Sequence, residues 1–237
     1  MPVFTAPIVD ILPITPRSRL LTLDLDGVDF PFLPGQAVMA GAHGQAERRP
    51  YSIACSPEHL RAHGHLQLLI ALEPDGALGS HLSSIGPGSL VDIEGPLGTF
   101  VLPEPPPHDR LLFVAGGTGI APLRAMIDHA VRHHPDHGLS VLYSARRGDE
   151  FAFIEELRAH AAAGRLELHQ TVTRDDSASW SGGRGRIGRA HFESVLHAPA
   201  ATLCFVCGPP AFVSESAEVL KALGVPEQHI RTEGWGQ

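Results

Sequence analysis

The sequence predicts two domains, an N-terminal antiparallel β-barrel followed by an α/β domain built on a parallel sheet. Three observations predict this arrangement. Short apolar segments separated by Gly and Pro precede the run Pro103-Glu-Pro-Pro-Pro-His108, strand and helix patterns alternate after it, and the run itself lies between the two regions. A proline run of this kind can continue neither a helix nor a strand. We therefore place the domains at residues 1–104 and 105–237.

Composition and charge limit the function before any motif is considered. The 237 residues are 43% apolar and 19% charged, which is typical of a globular protein. The net charge of −8, without a block of like charges, argues against nucleic acid or an anionic membrane as a partner. No apolar run approaches the roughly 20 residues that span a bilayer. Because the N-terminus also lacks the basic start and apolar core of a signal peptide, we expect a cytoplasmic protein.

The N-terminal region has the pattern of short strands punctuated by turns. Leu21, Leu23 and Leu25 alternate with polar residues, as in a half-buried strand. Further strands are predicted at 36–40, 51–54, 66–70 and 90–94. Strands at this spacing favour a small barrel or sandwich. The one helix that we predict in this region covers 78–84.

The C-terminal region alternates strands with helices, which predicts a parallel sheet covered on both faces. The predicted strands cover 111–115, 140–144, 166–173, 202–207 and 230–233. The predicted helices cover 122–133, 150–163 and 189–196, and another follows Pro210. Ligands bind beyond the carboxyl ends of such strands. We therefore expect a site at the loops 116–122, 145–149, 174–188 and 208–210.

The stretch Gly116-Gly-Thr-Gly-Ile-Ala-Pro122 lies between the predicted strand 111–115 and an amphipathic helix. A strand, a glycine turn and a helix together present backbone N–H groups and a helix N-terminus to a phosphate. A sharp corner without a ligand is the alternative interpretation. Pro122 stands where the usual dinucleotide fingerprint has a third glycine, and proline suits the first turn of a helix.

Two stretches of the barrel region also offer groups that bind phosphate. Arg48-Arg-Pro-Tyr-Ser-Ile53 places Arg49 and Tyr51 on one face of a strand, and Ser52 on the other. Arginine can hold a phosphate with two hydrogen bonds, and tyrosine can stack on a planar ligand. Gly76-Ala-Leu-Gly-Ser80 leads into the predicted helix 78–84. It therefore offers free amides and a hydroxyl at a helix N-terminus. A solvated arginine and an ordinary N-cap are the alternatives.

The cysteines exclude two kinds of site. Cys55, Cys204 and Cys207 provide neither a disulfide framework nor the four thiolates of an iron–sulfur cluster. Cys204 and Cys207 lie in an apolar run that has a strand pattern, where their side chains would face opposite sides.

The histidines show no ligand spacing of a known metal motif. Those of the segment 129–137 lie in polar, surface-like surroundings: His129, His133, His134 and His137. We therefore predict no metal site.

Taken together and in this order, the motifs resemble the ferredoxin–NADP reductase superfamily, over essentially the whole chain. The resemblance is carried by Arg49-Pro-Tyr-Ser52, Gly76–Ser80, Gly116–Pro122 and Cys207-Gly-Pro-Pro210. It implies a flavin on the barrel, FAD rather than FMN, and a nicotinamide nucleotide, NADPH or NADH, on the α/β domain. No fused ferredoxin domain is implied.

For the flavin, the resemblance implies that Arg49 contacts the pyrophosphate, with Pro50 beside it. Tyr51 would pack against the isoalloxazine or ribityl, and Ser52 would lie near N5. The residues expected at the pyrophosphate from the second stretch are Gly76, Ala77, Leu78 and Ser80. Trp235 would cover the flavin face, the alternative being a frayed chain end.

For the nicotinamide nucleotide, the resemblance implies that the motif containing Pro122 holds the pyrophosphate through Gly117, Thr118 and Gly119. The nicotinamide itself would be bordered by Cys207, Gly208 and Pro209. The residues expected to act in catalysis are Ser52, Cys207 and Glu233.

Loop arginines bear on the choice of coenzyme. We expect the adenosine 2′-phosphate of NADPH at Arg146, Thr173, Arg174 and Arg184. NADH-dependent relatives can also carry arginine here, and solvated loop arginines are the alternative, so the sequence favours NADPH only slightly.

The function predicted is an FAD-dependent NAD(P)H reductase that passes electrons to a separate acceptor protein, either a ferredoxin or an oxygenase component. Because the chain lacks four cysteines, an iron–sulfur carrier would be another polypeptide. The alternatives are an NAD(P)H:flavin reductase that releases reduced free flavin, an electron-transfer subunit of a larger complex, and a nucleotide-binding protein without redox activity.

Overall fold

The structure is a computed structural model that describes residues 3–72 and 85–234. Its strands are β1 (Val3–Thr15), β2 (Ser18–Asp24), β3 (Ala37–Ala42), β4 (Arg49–Ser52), β5 (His65–Ala71), β6 (Leu90–Leu97), β7 (Arg110–Gly116), β8 (Gly138–Ala145), β9 (Glu167–Val172), β10 (Gly183–Arg184), β11 (Thr202–Gly208) and β12 (Ile230–Gly234). Its helices are α1 (Pro57–His63), α2 (Ile120–His133), α3 (Ile154–Ala162), α4 (Arg189–Glu193) and α5 (Pro210–Ala222).

The first six strands form one antiparallel sheet in the order β4-β3-β6-β1-β2-β5. A bridge between Ile53, just after β4, and Leu68 in β5 joins the two edges, so the sheet curls into a barrel. Alternate residues point inward. The interior is therefore filled by residues such as Leu21, Leu23 and Val38, all of which are fully buried. The predicted barrel is confirmed.

The remaining strands form a parallel sheet in the order β10-β9-β8-β7-β11-β12. The chain starts in the middle with β7, moves outward through β8 to β10, and then returns to the other side of β7 with β11. The strand order thus reverses between β7 and β11, and ligands bind at such a switch point. The residues of β7 alternate between two apolar clusters, with Phe113 on the side of α2 and Val114 on the side of α4 and α5. The predicted α/β domain, covered on both faces, is confirmed.

The two sheets share a core through α2. The apolar cluster around Met126 and Ile127 also contains Ala54, Leu69 and Phe100 from the barrel side. Polar contacts reinforce this junction because Arg124 donates to the Ala54 carbonyl at 2.7 Å and to the Gln67 side-chain oxygen at 2.8 Å. The helix that follows the glycine turn therefore also holds the barrel against the parallel sheet.

Several predicted elements differ from those observed. β1 was not predicted, and α1 shows that the expectation of only one helix in the barrel region is wrong. Only Leu60 of α1 is buried, so the helix produces no apolar periodicity. Its end signals are nevertheless present, namely the N-cap Ser56, which accepts from the His59 N–H, and Gly64 in the left-handed region. The predicted helix 78–84 lies outside the described residues.

The second domain shows smaller shifts. The helix predicted at 150–163 begins only at Ile154, because residues 148–150 form a 3₁₀ turn and Phe153 has a φ of 58°. α4 ends at Glu193, three residues before the predicted end of that helix. In the part of the chain that the structure describes, no helix has the length and apolar character needed to cross a membrane.

Candidate functional site at the carboxyl edge of the parallel sheet

A cleft of about 440 Å³ lies at the carboxyl ends of the parallel strands. One wall comes from the loops after β7, β8, β9 and β11. The opposite wall comes from the barrel, where the β1–β2 turn and the end of β5 contribute Thr15, Arg17, Ser18, Ala71 and Leu72. The predicted loops thus meet at one edge, and that edge faces the barrel domain.

The glycine turn builds the centre of this cleft. A 3₁₀ turn, Gly117–Gly119, follows β7 and leads directly into α2. Gly117 has a φ of 57°, whereas Gly119 has helical backbone angles. A Cβ at Gly119 would collide with the carbonyl of Cys207 and the backbone of Gly208. Gly117 is therefore required for its backbone conformation, and Gly119 for the close approach of β11.

The start of α2 offers N–H groups to a ligand. The first amides of a helix lack partners within it. No side chain caps the N-terminus of α2 at Gly119. Gly117, Thr118 and Gly119 line the cleft as predicted. Pro122 is buried inside the first turn, so it shapes the start of the helix and is not part of the cleft wall.

Tyr143 holds the glycine turn in place, and the sequence analysis missed this role. Its hydroxyl donates to the Gly117 carbonyl at 3.1 Å and accepts from the Ala152 N–H at the same distance. The ring is fully buried against Phe151, and burial raises the pKa of the phenol. A tyrosine inside a buried strand was the available signal, because a buried hydroxyl needs partners.

The loops after β8 and β9 carry two of the predicted arginines on the rim of the cleft. Arg146 and Arg174 are exposed and line the cleft together with Thr173. The Arg174 N–H donates to the Arg146 carbonyl at 2.8 Å, which holds the loops after β8 and β9 side by side. Among the described residues, no side-chain hydrogen bond or ion pair engages either guanidinium. Both are therefore open to an anionic ligand.

Arg184 does not line the cleft. Its guanidinium donates to the carbonyls of Asp175, Ser177 and Trp180, so it organises the loop after β9. Arg186, two residues later, lines the cleft and lies 3.7 Å from Glu215. Arg186 was not among the predicted residues, because the direction of a side chain along an irregular loop cannot be read from spacing. The 2′-phosphate contact expected of Arg184 stays a prediction.

The end of β11 contributes backbone rather than a thiol. Gly208 and Pro209 line the cleft, but the Cys207 side chain is fully buried in the cluster that contains α2. The expected place of Cys207 beside the nicotinamide stays a prediction, and the buried thiol is not part of the cleft wall. Cys204 belongs to the cluster on the opposite face of the sheet, as predicted for strand positions three apart. Burial raises the pKa of Cys204 to about 12.

Glu233 lies on β12 opposite Cys207 and borders a groove that also contains Gly98, Thr99 and Phe100 of the barrel side. Its Oε2 is buried and has no hydrogen-bond partner among the described residues. Burial raises the pKa of this carboxyl from 4.5 to about 7. A carboxyl with this pKa can hold or release a proton near neutral pH.

The predicted barrel residues lie on β4, at an edge of the antiparallel sheet. Arg49 is exposed and forms a 2.9 Å ion pair with Glu47, while Pro50 is exposed beside it. Tyr51 is half-buried against the barrel core. Ser52 is buried, and strand alternation puts it on the side of Ala54, which packs against α2. The remaining predicted residues, Gly76, Ala77, Leu78, Ser80 and Trp235, lie outside the described residues.

Two family models match the chain, one for each sheet. The oxidoreductase FAD-binding domain matches residues 5–102, and the oxidoreductase NAD-binding domain matches residues 113–218. The first match covers β1 to β6. The second contains the glycine turn, the arginine loops and the end of β11.

Relatives extend over both domains. A protein named ferredoxin–NADP reductase B from Sorangium cellulosum is 32% identical, over 97% of this chain and 96% of its own length. The toluate 1,2-dioxygenase electron transfer component of Pseudomonas putida is 30% identical over 82% of this chain, which spans 56% of that relative. The solved structure of a ferredoxin reductase in carbazole 1,9a-dioxygenase has the same fold, with a TM-score of 0.86 at 24% identity, over 100% of this chain and 70% of that one.

Proposed function

The chain belongs to the ferredoxin–NADP reductase superfamily and is an FAD-dependent NAD(P)H oxidoreductase, and we propose that it passes electrons from NADPH to a separate acceptor protein, a ferredoxin or an oxygenase component. The observation that carries this proposal is the shared cleft, in which the carboxyl edge of the nucleotide-binding sheet faces the barrel. Such a cleft lets the two domains hold the two cofactors against each other.

The nucleotide half of the cleft fits a dinucleotide. The glycine turn lines the cleft, and the uncapped N-terminus of α2 favours an anion. We place the pyrophosphate on Gly117, Thr118 and Gly119. The exposed guanidiniums of Arg146 and Arg174 would hold the 2′-phosphate, which NADH lacks.

The barrel edge fits the phosphates of FAD. The Arg49–Glu47 pair is exposed on both sides, so it is worth little and can exchange its carboxylate for a phosphate. The position of Ser52 on the side packed against the second domain supports its proposed place near the reacting ring. When bound, FAD supplies the conversion of a two-electron hydride into electrons that leave singly.

Two of the predicted catalytic residues have different proposed roles. Glu233 is the proton-holding group, because its carboxyl titrates near neutral pH beside the groove between the domains. Cys207 acts through its backbone, which fixes the distance between β11 and the glycine turn.

The relatives support the separate acceptor. The Sorangium protein is named a ferredoxin–NADP reductase, and the Pseudomonas protein an electron transfer component of a dioxygenase. All three cysteines of these 237 residues are buried in the apolar cores of the domains, so they do not present the four thiolates of an iron–sulfur cluster.

Steady-state oxidation of NADPH tests this function. The purified yellow protein is mixed with NADPH and with ferricyanide, a plant-type or bacterial ferredoxin, or free FMN. We expect ferricyanide and at least one iron–sulfur protein to sustain turnover, and the flavin to stay bound during filtration. Saturable turnover with micromolar FMN alone, with release of reduced flavin, would instead identify a flavin reductase.

A further inference from the structure

A group of histidines and glutamates lies where the barrel domain meets α2, away from the cleft. This histidine–glutamate cluster consists of Glu58, Glu104, His129, His133 and His134. Glu58 comes from α1 and Glu104 from the segment between the two sheets. His129 and His133 lie in the last turns of α2, and His134 is the C-cap that follows it. None of the five lines the cleft.

One carboxylate oxygen of the cluster faces two imidazoles at once. The Oε2 of Glu104 lies 2.8 Å from Nε2 of His129 and 3.0 Å from Nε2 of His134. These three potential ligand atoms all lie within 4.8 Å of one another. In a tetrahedral site with bonds of about 2.0 Å, ligand atoms are roughly 3.3 Å apart. The two separations from the Glu104 oxygen, 2.8 and 3.0 Å, are therefore close to those of such a site.

The two histidines are not the surface residues that the sequence analysis expected. The side chains of His129 and His134 are only 13% and 10% exposed. His129 also directs its Nδ1 at Oε2 of Glu58, 3.2 Å away. Both ring nitrogens of His129 thus face carboxylates, but a neutral imidazole carries only one proton. A cation at Nε2 would satisfy this arrangement without a second proton.

The contact with Glu58 distinguishes between two possible ligand sets. A metal-bound histidine commonly donates its other ring N–H to a carboxylate, which fixes the ring. A metal at Nε2 of His129 leaves its Nδ1–H for Glu58, and Glu58 is itself held by Arg61 at 2.6 Å. The other set, Glu58 with His129 and His133, would have to compete with Arg61 for the carboxylate. His133 is also 46% exposed, so its position is less constrained.

We propose that Glu104 and the Nε2 atoms of His129 and His134 bind one divalent transition-metal ion, of the Zn²⁺ class, with Glu58 as the positioning residue. Imidazole and carboxylate ligands suit Zn²⁺. Glu104 is half exposed, so water can complete the coordination. The ion would tie the segment between the two sheets to α2, so its role is structural.

Zn²⁺ binding to the FAD-loaded full chain tests the proposal. After chelator treatment, calorimetric titration with zinc chloride is run on the parent and on His134→Gln, Glu104→Gln and His133→Gln. We expect one equivalent of Zn²⁺ to bind the parent and His133→Gln, and the affinity to fall at least tenfold in the other two. A parent that binds no Zn²⁺ overturns the site. Loss of binding in His133→Gln with retention in His134→Gln overturns this ligand set.

Two further measurements separate binding from folding. Zn²⁺ should raise the thermal midpoint of the parent and of His133→Gln, but not that of His134→Gln. The flavin absorbance and metal-free midpoint of each variant show whether it is folded. Glu58→Gln should bind Zn²⁺ 10–100-fold more weakly, the usual loss for a group that orients a ligand. Unchanged affinity in this variant would overturn the positioning role of Glu58.

Discussion

The centre and the rim of the cleft are built by different means. At the centre, Gly116, Gly119 and Gly208 bring the end of β7, the start of α2 and the end of β11 into backbone contact, and Gly117 turns the chain between them. On the rim, Arg146 and Arg174 project exposed side chains from loops after β8 and β9. The centre depends on backbone sterics and the rim on side-chain charge.

This difference indicates which property each part controls. The pyrophosphate is common to NADH and NADPH, so a change at the centre should affect both coenzymes and also the stability of the fold. The 2′-phosphate is present only in NADPH. A change on the rim should therefore alter the choice of coenzyme and leave folding intact.

The largest effect is expected for Gly119→Ala. The added Cβ would meet the Cys207 carbonyl, and backbone cannot rotate away as a side chain can. Overpacking of this kind costs about 3 kcal/mol of unfolding free energy, at the upper end of its usual range. Denaturant unfolding measures this loss, and KM should rise for both coenzymes.

Gly117→Ala is the matched control. Apart from its chain neighbours, no atom of the described residues lies within 4 Å of the position that an added Cβ would occupy, so only the φ of 57° is unfavourable. The left-handed conformation costs an alanine about 1 kcal/mol. Equal losses in the two variants would contradict the distinction between required space and required conformation.

Tyr143→Phe tests whether the centre needs its support from β8. The change leaves the Gly117 carbonyl and the Ala152 N–H without the hydroxyl that joins them. A buried polar group left unsatisfied costs about 1–3 kcal/mol. We expect lower stability and a parallel rise in KM for NADH and NADPH. A change confined to NADPH would assign Tyr143 to the rim.

The centre was also the part that sequence could predict. A strand pattern, three glycines and a helix start have few conformational solutions, and Gly117, Thr118 and Gly119 do line the cleft. Their contact with a pyrophosphate stays a prediction. α1 and the roles of Tyr143 and Arg186 were missed. A seven-residue helix with one buried side chain has no periodicity, and the direction of a side chain in a loop depends on contacts distant in sequence.

Arg174→Ala tests the rim. Loss of a charged hydrogen bond to phosphate costs about 1.5–3 kcal/mol, so KM for NADPH should rise by roughly ten- to a hundredfold. KM for NADH should stay within about twofold, and the thermal midpoint should not change.

Arg184→Ala is the control for this prediction. Its guanidinium binds three loop carbonyls instead of lining the cleft, so its loss should loosen the loop for both coenzymes alike. A rise in KM for NADPH alone in Arg184→Ala, with no such rise in Arg174→Ala, would reverse our assignment of the phosphate-binding arginine.

The smallest effect is expected for Glu233→Gln. Here burial, rather than a charged partner or backbone sterics, sets the pKa of the carboxyl. The pKa of this carboxyl is about 7 in the folded chain and near 4.5 when exposed. Between these values the folded state keeps a proton that the unfolded state releases, so the carboxyl lowers stability progressively as pH rises from 4.5 to 7. Glutamine carries no such charge. We therefore expect Glu233→Gln to raise the thermal midpoint by on the order of 2–4 °C at pH 8 and by little at pH 5.

The pH profile of turnover should also lose its inflection near pH 7. An equal midpoint difference at both pH values would show that the carboxyl does not titrate in this window, and Glu233 would then act only through packing.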